Sequence, residues 1–346
     1  MNYRLIAPHR GLIDEVLANL SGENGDYSGN IVVFPGKRPS HFLRKAIGKR
    51  HETAFIPPLS LSMDEFIDFL YETKLGIFDR KTEAIDAAAI LYNIHRKNPL
   101  GSEGFFITAD SFFPLGLKLY RDFEEFCIEK IPHQKIREVE LIADEKIPKE
   151  TLKNLQSLSL FYREFYEVLA KLNFSTRSTR YRTVSERVGD IDLSVFDKII
   201  LSGFFALTKS EKDLFKALSE RDNSLFIFHR AGGISQILTD AGIAEDGHEP
   251  DNGAAPVITI YKSPDTHGQV FALSRLLNDN PGHRDDNTVV ALPASETVFP
   301  ILHHGISMLE ANAYNVSIHI YVYALLGHLL QFGIPHLIIS VHLPTP

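Results

Sequence analysis

The sequence predicts an α/β protein: a doubly wound parallel sheet with a helical block inserted between two of its strands. Three observations carry that prediction. Short unbroken apolar runs such as Ile31–Phe34 and Leu225–Phe228 end at turn signals and read as strands buried on both faces. The helix-opening spacings Ser62-x-x-Glu65 and Thr208-x-x-Glu211 alternate with such runs. From residue 80 to about 190, helical spacing dominates and strand signals are weak.

In chain order, a first strand is expected over Tyr3–Ala7 and a helix over Gly11–Leu20, where Leu12, Ile13, Val16, Leu17 and Leu20 fall at helical spacing. Ser21–Asn30 is loop by composition. The strand from Ile31 ends at Pro35-Gly36 and feeds a helix to about Lys49. Ala54–Pro58 reads as an extended segment that ends at its prolines, and the first capping box opens a helix to about Leu70. In the helical block, Glu83–His95, Ala109–Glu129 and Thr151–Leu172 are the expected helices, the second despite Pro114. Strand character returns over Asp197–Phe205 and Ser224–Phe228, with a helix from Thr208 to Ser219 between them. The acidic, turn-rich Glu245–Asn252 is the expected linker. Beyond it come strand Pro256–Tyr261, helix Gly268–Leu277, loop Asn278–Asn287, strand Thr288–Leu292 and helix Val298–Leu309.

Composition bounds the function. The chain has 346 residues, enough for two domains, and a net charge of −8. An acidic chain does not coat nucleic acid generally, so any such contact is confined to a patch. Cys127 is the single cysteine, which excludes an intrachain disulfide and a cysteine-based metal site. Met1–Pro8 is too short an apolar run for a signal peptide, so a reducing, cytoplasmic setting is expected. Ala311–Pro346 holds no Asp, Glu, Lys or Arg. Histidines, Gln331 and Pro335 interrupt its apolar runs, so no membrane span is expected.

The organising stretch is Ile31–Ala46. From Pro35 to Arg50 there are six Lys/Arg and no Asp or Glu: Lys37, Arg38, Arg44, Lys45, Lys49 and Arg50. A helix N-terminus with added cations suits an anion such as a phosphodiester. The other reading of the same residues is a solvated basic helix face.

Other chemistry is hard to place. A phosphate-cradling P-loop needs Gly-x-x-x-x-Gly-Lys-Ser/Thr where the first strand meets its helix. Ala7–Glu15 supplies one glycine and no Lys-Ser/Thr pair, and Gly36-Lys37 is followed by Arg38. The strand at Lys198–Leu201 ends in Ser202-Gly-Phe-Phe205, where a nucleotide hydrolase would place acids for Mg²⁺ and water. Nucleotide hydrolysis is therefore not expected, and no cofactor or metal is. His303-His304 point to different faces of a helix, and His51-Glu52 lacks the second histidine of a zinc protease motif.

Six motifs in order carry a family resemblance: Val32-Val-Phe-Pro-Gly-Lys-Arg38, Phe55-Ile-Pro-Pro-Leu-Ser-Leu-Ser-Met-Asp-Glu-Phe66, Leu201-Ser-Gly-Phe-Phe-Ala-Leu-Thr-Lys-Ser-Glu211, Tyr261-Lys-Ser-Pro-Asp-Thr-His-Gly-Gln269, Val289-Val-Ala-Leu-Pro293 and Tyr314-Asn-Val-Ser317. This resembles the N-terminal part of the AddB/RexB family, the second subunit of bacterial helicase–nucleases that process double-strand breaks. It looks most like the branch whose helicase domain has lost its ATPase motifs.

The resemblance implies a degenerate superfamily 1 helicase domain of RecA-like fold over 1–250, with a helical insertion over about 80–190. Part of a second RecA-like domain follows over 254–318. It implies that Pro35, Gly36, Lys37, Arg38, His41, Arg44, Lys45 and Ser62 face single-stranded DNA. His9, Arg10, Gly11, Ser202 and Gly203 would mark a degenerate nucleotide site. It further implies DNA repair as the process and an AddA-like helicase–nuclease subunit as partner, with neither ATPase nor nuclease activity in this portion. Two departures stand out. The family's C-terminal PD-(D/E)xK nuclease domain has no counterpart here, and Ile318–Val322 replaces the usual Gly-Tyr-Pro. A truncated N-terminal portion with an aberrant tail over 319–346 is the expectation that follows. A small-ligand α/β enzyme at the strand ends and a pure interaction module remain open beside it.

Overall fold

The computed structural model describes residues 3–8, 10–51, 54–99, 108–144, 158–231, 233–240, 242, 257–263, 265–280, 289–292, 297–305 and 337–342. The chain divides into two compact units, Met1–Asp251 and Asn252–Pro346.

The first unit is built on a five-stranded, all-parallel sheet. Its strands are β1 (Tyr3–Ile6), β2 (Asn30–Phe34), β3 (Leu59–Ser62), β6 (Lys198–Ser202) and β7 (Ser224–His229), in the spatial order β1-β7-β6-β2-β3. Every residue of β2 is buried, as expected for a strand covered on both faces. The pleat divides its side chains. Val32 and Phe34 join Ile200 and Ile227 under α1 (Leu12–Asn19) and α2 (Arg38–Arg50). Ile31 and Val33 join Leu201, Phe226 and Phe228 on the opposite face. That face is covered by α3 (Met63–Asp68), α8 (Arg177–Glu186), α9 (Lys209–Ser219) and α10 (Ile234–Asp240).

Between β3 and β6 lie β4 (Arg80–Lys81), α4 (Ala84–Lys97), α5 (Ala109–Ile128), α6 (His133–Asp144), α7 (Leu158–Lys171) and β5 (Phe174–Ser175). The helices build a separate aromatic-rich core around Phe112, Phe123, Phe161 and Phe165. Pro114 sits in the second turn of α5. Its missing N–H deprives only the carbonyl of Asp110, an exposed residue of the first turn that water can reach, and α5 continues through it.

Several boundaries differ from the sequence reading. Ile56 makes only a bridge to Asp26, and the strand itself starts after the prolines, at Leu59. Among the described residues β3 is an edge strand paired with β2 alone, so Pro57 and Pro58 ahead of it remove no ladder bond. The helix opened by Ser62 continues past Leu70 as a π-turn over Phe69–Lys74. β6 stops at Ser202 because Gly203 adopts φ +81° and turns the chain out of the sheet. Inside the helical block, β4 and β5 form a two-residue parallel pair that no pattern announced.

In the second unit, β8 (Val257–Lys262) is followed by α11 (Thr266–Asp279), which is opened by Asp265 accepting from the Gly268 N–H at 2.8 Å. One expected strand fails there: Val289–Leu292 is not in a strand, and Val289 is 86 % exposed. The helix expected from Val298 is present through Pro300 and continues as a π-turn over Ile301–Gly305, Pro300 falling in the first turn where its missing N–H costs no helical bond; residues 306–309 lie outside the described residues. β8 pairs antiparallel with β9 (Leu337–His342), in contrast to the parallel pairing expected of a doubly wound unit. The linker Glu245–Asn252 and residues 311–336 and 343–346 of the uncharged tail lie outside the described residues. Among the described residues, no helix is long and apolar enough to cross a membrane.

Candidate nucleic-acid interface

β2 delivers the chain to the carboxyl edge of the sheet, where Pro35 and Gly36 turn it into α2. One side of α2 is anchored by Ser40, Leu43 and Ile47, all buried. At 100° per residue, Arg38, His41, Phe42, Lys45 and Lys49 then share the opposite face, with Arg44 at its border. His41, Arg44, Lys45 and Lys49 are exposed, and their side chains make no hydrogen bond or ion pair among the described residues. The Arg38 guanidinium lies over the Phe42 ring, 5.8 Å from its centroid, and that ring is 48 % exposed.

The helix N-terminus has no side-chain cap among the described residues: Pro39 carries no N–H, and the Ser40 N–H donates to the Lys37 carbonyl at 3.2 Å. Lys37 occupies the cap position in αR geometry, and the first turn holds no acid. Cations there oppose the helix dipole by roughly 0.3–1 kcal/mol each. A bound anion reverses that sign. At the other end, Lys49 and Arg50 complement α2's own C-terminus and have an ordinary structural use.

Lys37 is engaged differently from the rest. Its Nζ lies 2.7 Å from Glu65 Oε1. The other carboxylate oxygen, Oε2, accepts from the Ser62 N–H at 2.9 Å and from the Ser62 hydroxyl at 2.8 Å. Ser62 is thus buried and committed to a capping box that starts α3. The hydrogen bonds from Lys37 and Ser62 hold the Glu65 carboxyl down at about 2. Beside it, Asp64 accepts from Arg177 Nε at 2.7 Å and from the Tyr181 hydroxyl. Two consecutive carboxylates therefore tie one cation from the α2 turn and one from α8.

The residues expected to mark a degenerate nucleotide site lie at the ends of β1 and β6. His9 is outside the described residues. Arg10 is exposed, and its carbonyl is 3.0 Å from His229 Nε2 at the end of β7. Gly11 precedes α1, whose first turn carries Asp14 and Glu15, charges that disfavour a phosphate there. Ser202 is fully buried, with no hydrogen-bond partner for its hydroxyl among the described residues. A Cβ on Gly203 would come 2.8 Å from Leu12 Cδ2, so Leu12 packs directly over the end of β6. These groups do not form a phosphate cradle; an apolar side chain and two acids stand at the two strand ends.

Sequence reasoning missed three participants. Glu65 is legible as a capping residue but not as the partner of Lys37. Phe42 lies within the basic stretch, and its exposure emerges only once Leu43 and Ile47 fix the helix rotation. Phe205 follows the Gly203 turn and is 53 % exposed. Pro35 Cδ is 3.9 Å from a Cβ built on Gly203, which places this loop beside the α2 turn. Among the described residues, no three His, Cys, Asp or Glu side chains gather to hold a metal ion. A scan against protein-family models found no match, and a search of curated proteins found none.

Proposed function

We propose that this chain is a DNA repair and recombination protein, the non-catalytic helicase-like part of a helicase–nuclease subunit. On this reading it holds single-stranded DNA along α2 and docks an AddA-like partner subunit. The first unit would be a degenerate superfamily 1 helicase domain of RecA-like fold, and the second unit the start of another. The observation that carries the reading is the basic face of α2, unpaired among the described residues, which begins at an uncapped helix N-terminus in a chain of net charge −8. An acidic protein that leaves these cations unpaired has placed a local attraction for phosphates on a surface that otherwise repels them. Phe42 and Phe205 add exposed aromatic rings on which bases can stack. The parallel sheet, the inserted helical block and the order of the six motifs fit the same reading.

The test is single-stranded oligonucleotide binding by fluorescence anisotropy. The comparison is with a variant carrying Lys37→Ala, Arg38→Ala, Arg44→Ala and Lys45→Ala. Alanine favours helix and the anchors Leu43 and Ile47 are untouched, so α2 is retained. Binding by the parent that the variant loses supports the proposal. No binding by a folded parent rejects it.

A further inference from the structure

We infer that Glu65 is a built-in competitor for the nucleic-acid phosphate, holding Lys37 in an ion pair that a phosphodiester must displace. The inference rests on the DNA-binding reading above and adds a residue whose removal strengthens binding. Lys37 stands where the α2 stripe begins, and its side chain remains 72 % exposed although it is paired. It is the one residue of the α2 turn and stripe, Lys37 to Lys49, that has a carboxylate partner among the described residues.

Glu65 is built for this role by the way its oxygens are divided. Oε2 is fixed by two donors from Ser62, so the carboxylate cannot swing away from the site. Oε1 is left for Lys37. The lysine has four methylenes and three donors, so it can turn from Glu65 to a neighbouring phosphate without moving α2. An exposed pair of this kind is weak, so the competition sets affinity without abolishing binding.

Glu65→Gln tests this with little risk to the fold, because glutamine also serves at this position of a capping box. A melting curve confirms folding, and single-stranded DNA binding is then measured in four proteins: wild type, Glu65→Gln, Lys37→Ala and the double variant. Glu65→Gln is expected to bind about two- to fivefold more tightly than wild type, the strength of one exposed ion pair. The gain should vanish in the Lys37→Ala background. If Glu65→Gln binds no more tightly while wild type binds and loses binding with the four α2 substitutions, the inference falls and the DNA reading stands. An equal gain in both backgrounds also overturns it, because Glu65 then acts as general negative charge. Failure of folded wild type to bind overturns the DNA reading and this inference together.

Discussion

Replacing Arg180 with methionine should destabilise the first unit by about 3 kcal/mol. Arg180 lies on α8 with its side chain 3 % exposed. Its Nε donates to Ser175 Oγ at 2.9 Å, Nη1 to Asp68 at 2.9 Å and Glu72 at 2.6 Å, and Nη2 to Asp79 at 3.2 Å. The guanidinium also lies 4.9 Å from the centroid of the Tyr71 ring. Methionine fills comparable space but answers none of these groups. Breaking a buried ion pair from one side costs about 3–5 kcal/mol. The low end applies here for specific reasons. Glu72 is 48 % exposed and can hydrate, and Asp68 keeps Lys81 at 2.7 Å. The cost concentrates on Asp79, which is 8 % exposed and keeps only the Tyr71 and Ser175 hydroxyls among the described residues. For a unit of this size the expected fall in Tm is roughly 6–12 °C. Adding Asp79→Asn removes the stranded charge and should recover part of the loss. Thermal and urea melts of wild type, single and double variants decide it. A methionine variant within about 1 kcal/mol of wild type, or an Asp79→Asn change that restores nothing, would show that Arg180 does not hold these carboxylates in the folded state.

Two further outcomes follow from the site. Because Glu65 is held at about 2 against an ordinary 4.5, its contribution to stability is complete above about pH 4.5 and fades as pH falls toward 2. The stability difference between wild type and Glu65→Gln, followed by urea melts across that window, should shrink with acid; a constant difference contradicts the assignment. Gly203→Ala puts a Cβ on a residue at φ +81°, about 1–2 kcal/mol of backbone cost, and presses on Leu12. Leu12→Ala in that background relieves the contact but not the backbone, so stability is recovered incompletely; an alanine variant as stable as wild type would contradict the turn.

Much of the first unit was legible in the sequence because its physics is local. Ile31–Phe34 is apolar at every position because β2 is covered on both faces, and such a run needs no partner to be read. Both capping boxes, at Ser62 and Thr208, formed as spaced. What failed depends on contacts distant in sequence. Leu59–Ser62 becomes a strand because β2 offers a free edge, which the prolines before it conceal. Val289–Leu292 has the composition of a strand but not the structure of one. At the site, the basic run was plain, while its balance of paired and unpaired cations was not. Lys37 and Glu65 meet only because β3 lies beside β2 and α3 starts where β3 ends. Ser62 shows the same limit: its hydroxyl serves Glu65, a commitment visible as a capping box yet equally readable as a free donor.

Whether α2 holds DNA is decided by the salt dependence of single-stranded DNA binding, compared between wild type and the four-site α2 variant. Each phosphate neutralised on a single strand contributes about −0.7 to the slope of log K against log salt. If the α2 stripe holds the backbone, wild type should show a steep slope, and the variant's should be flatter by roughly 2–3 with weaker binding throughout. Equal slopes and equal affinities for the two proteins would show that DNA, if bound, is held elsewhere, and the account of α2 would be wrong.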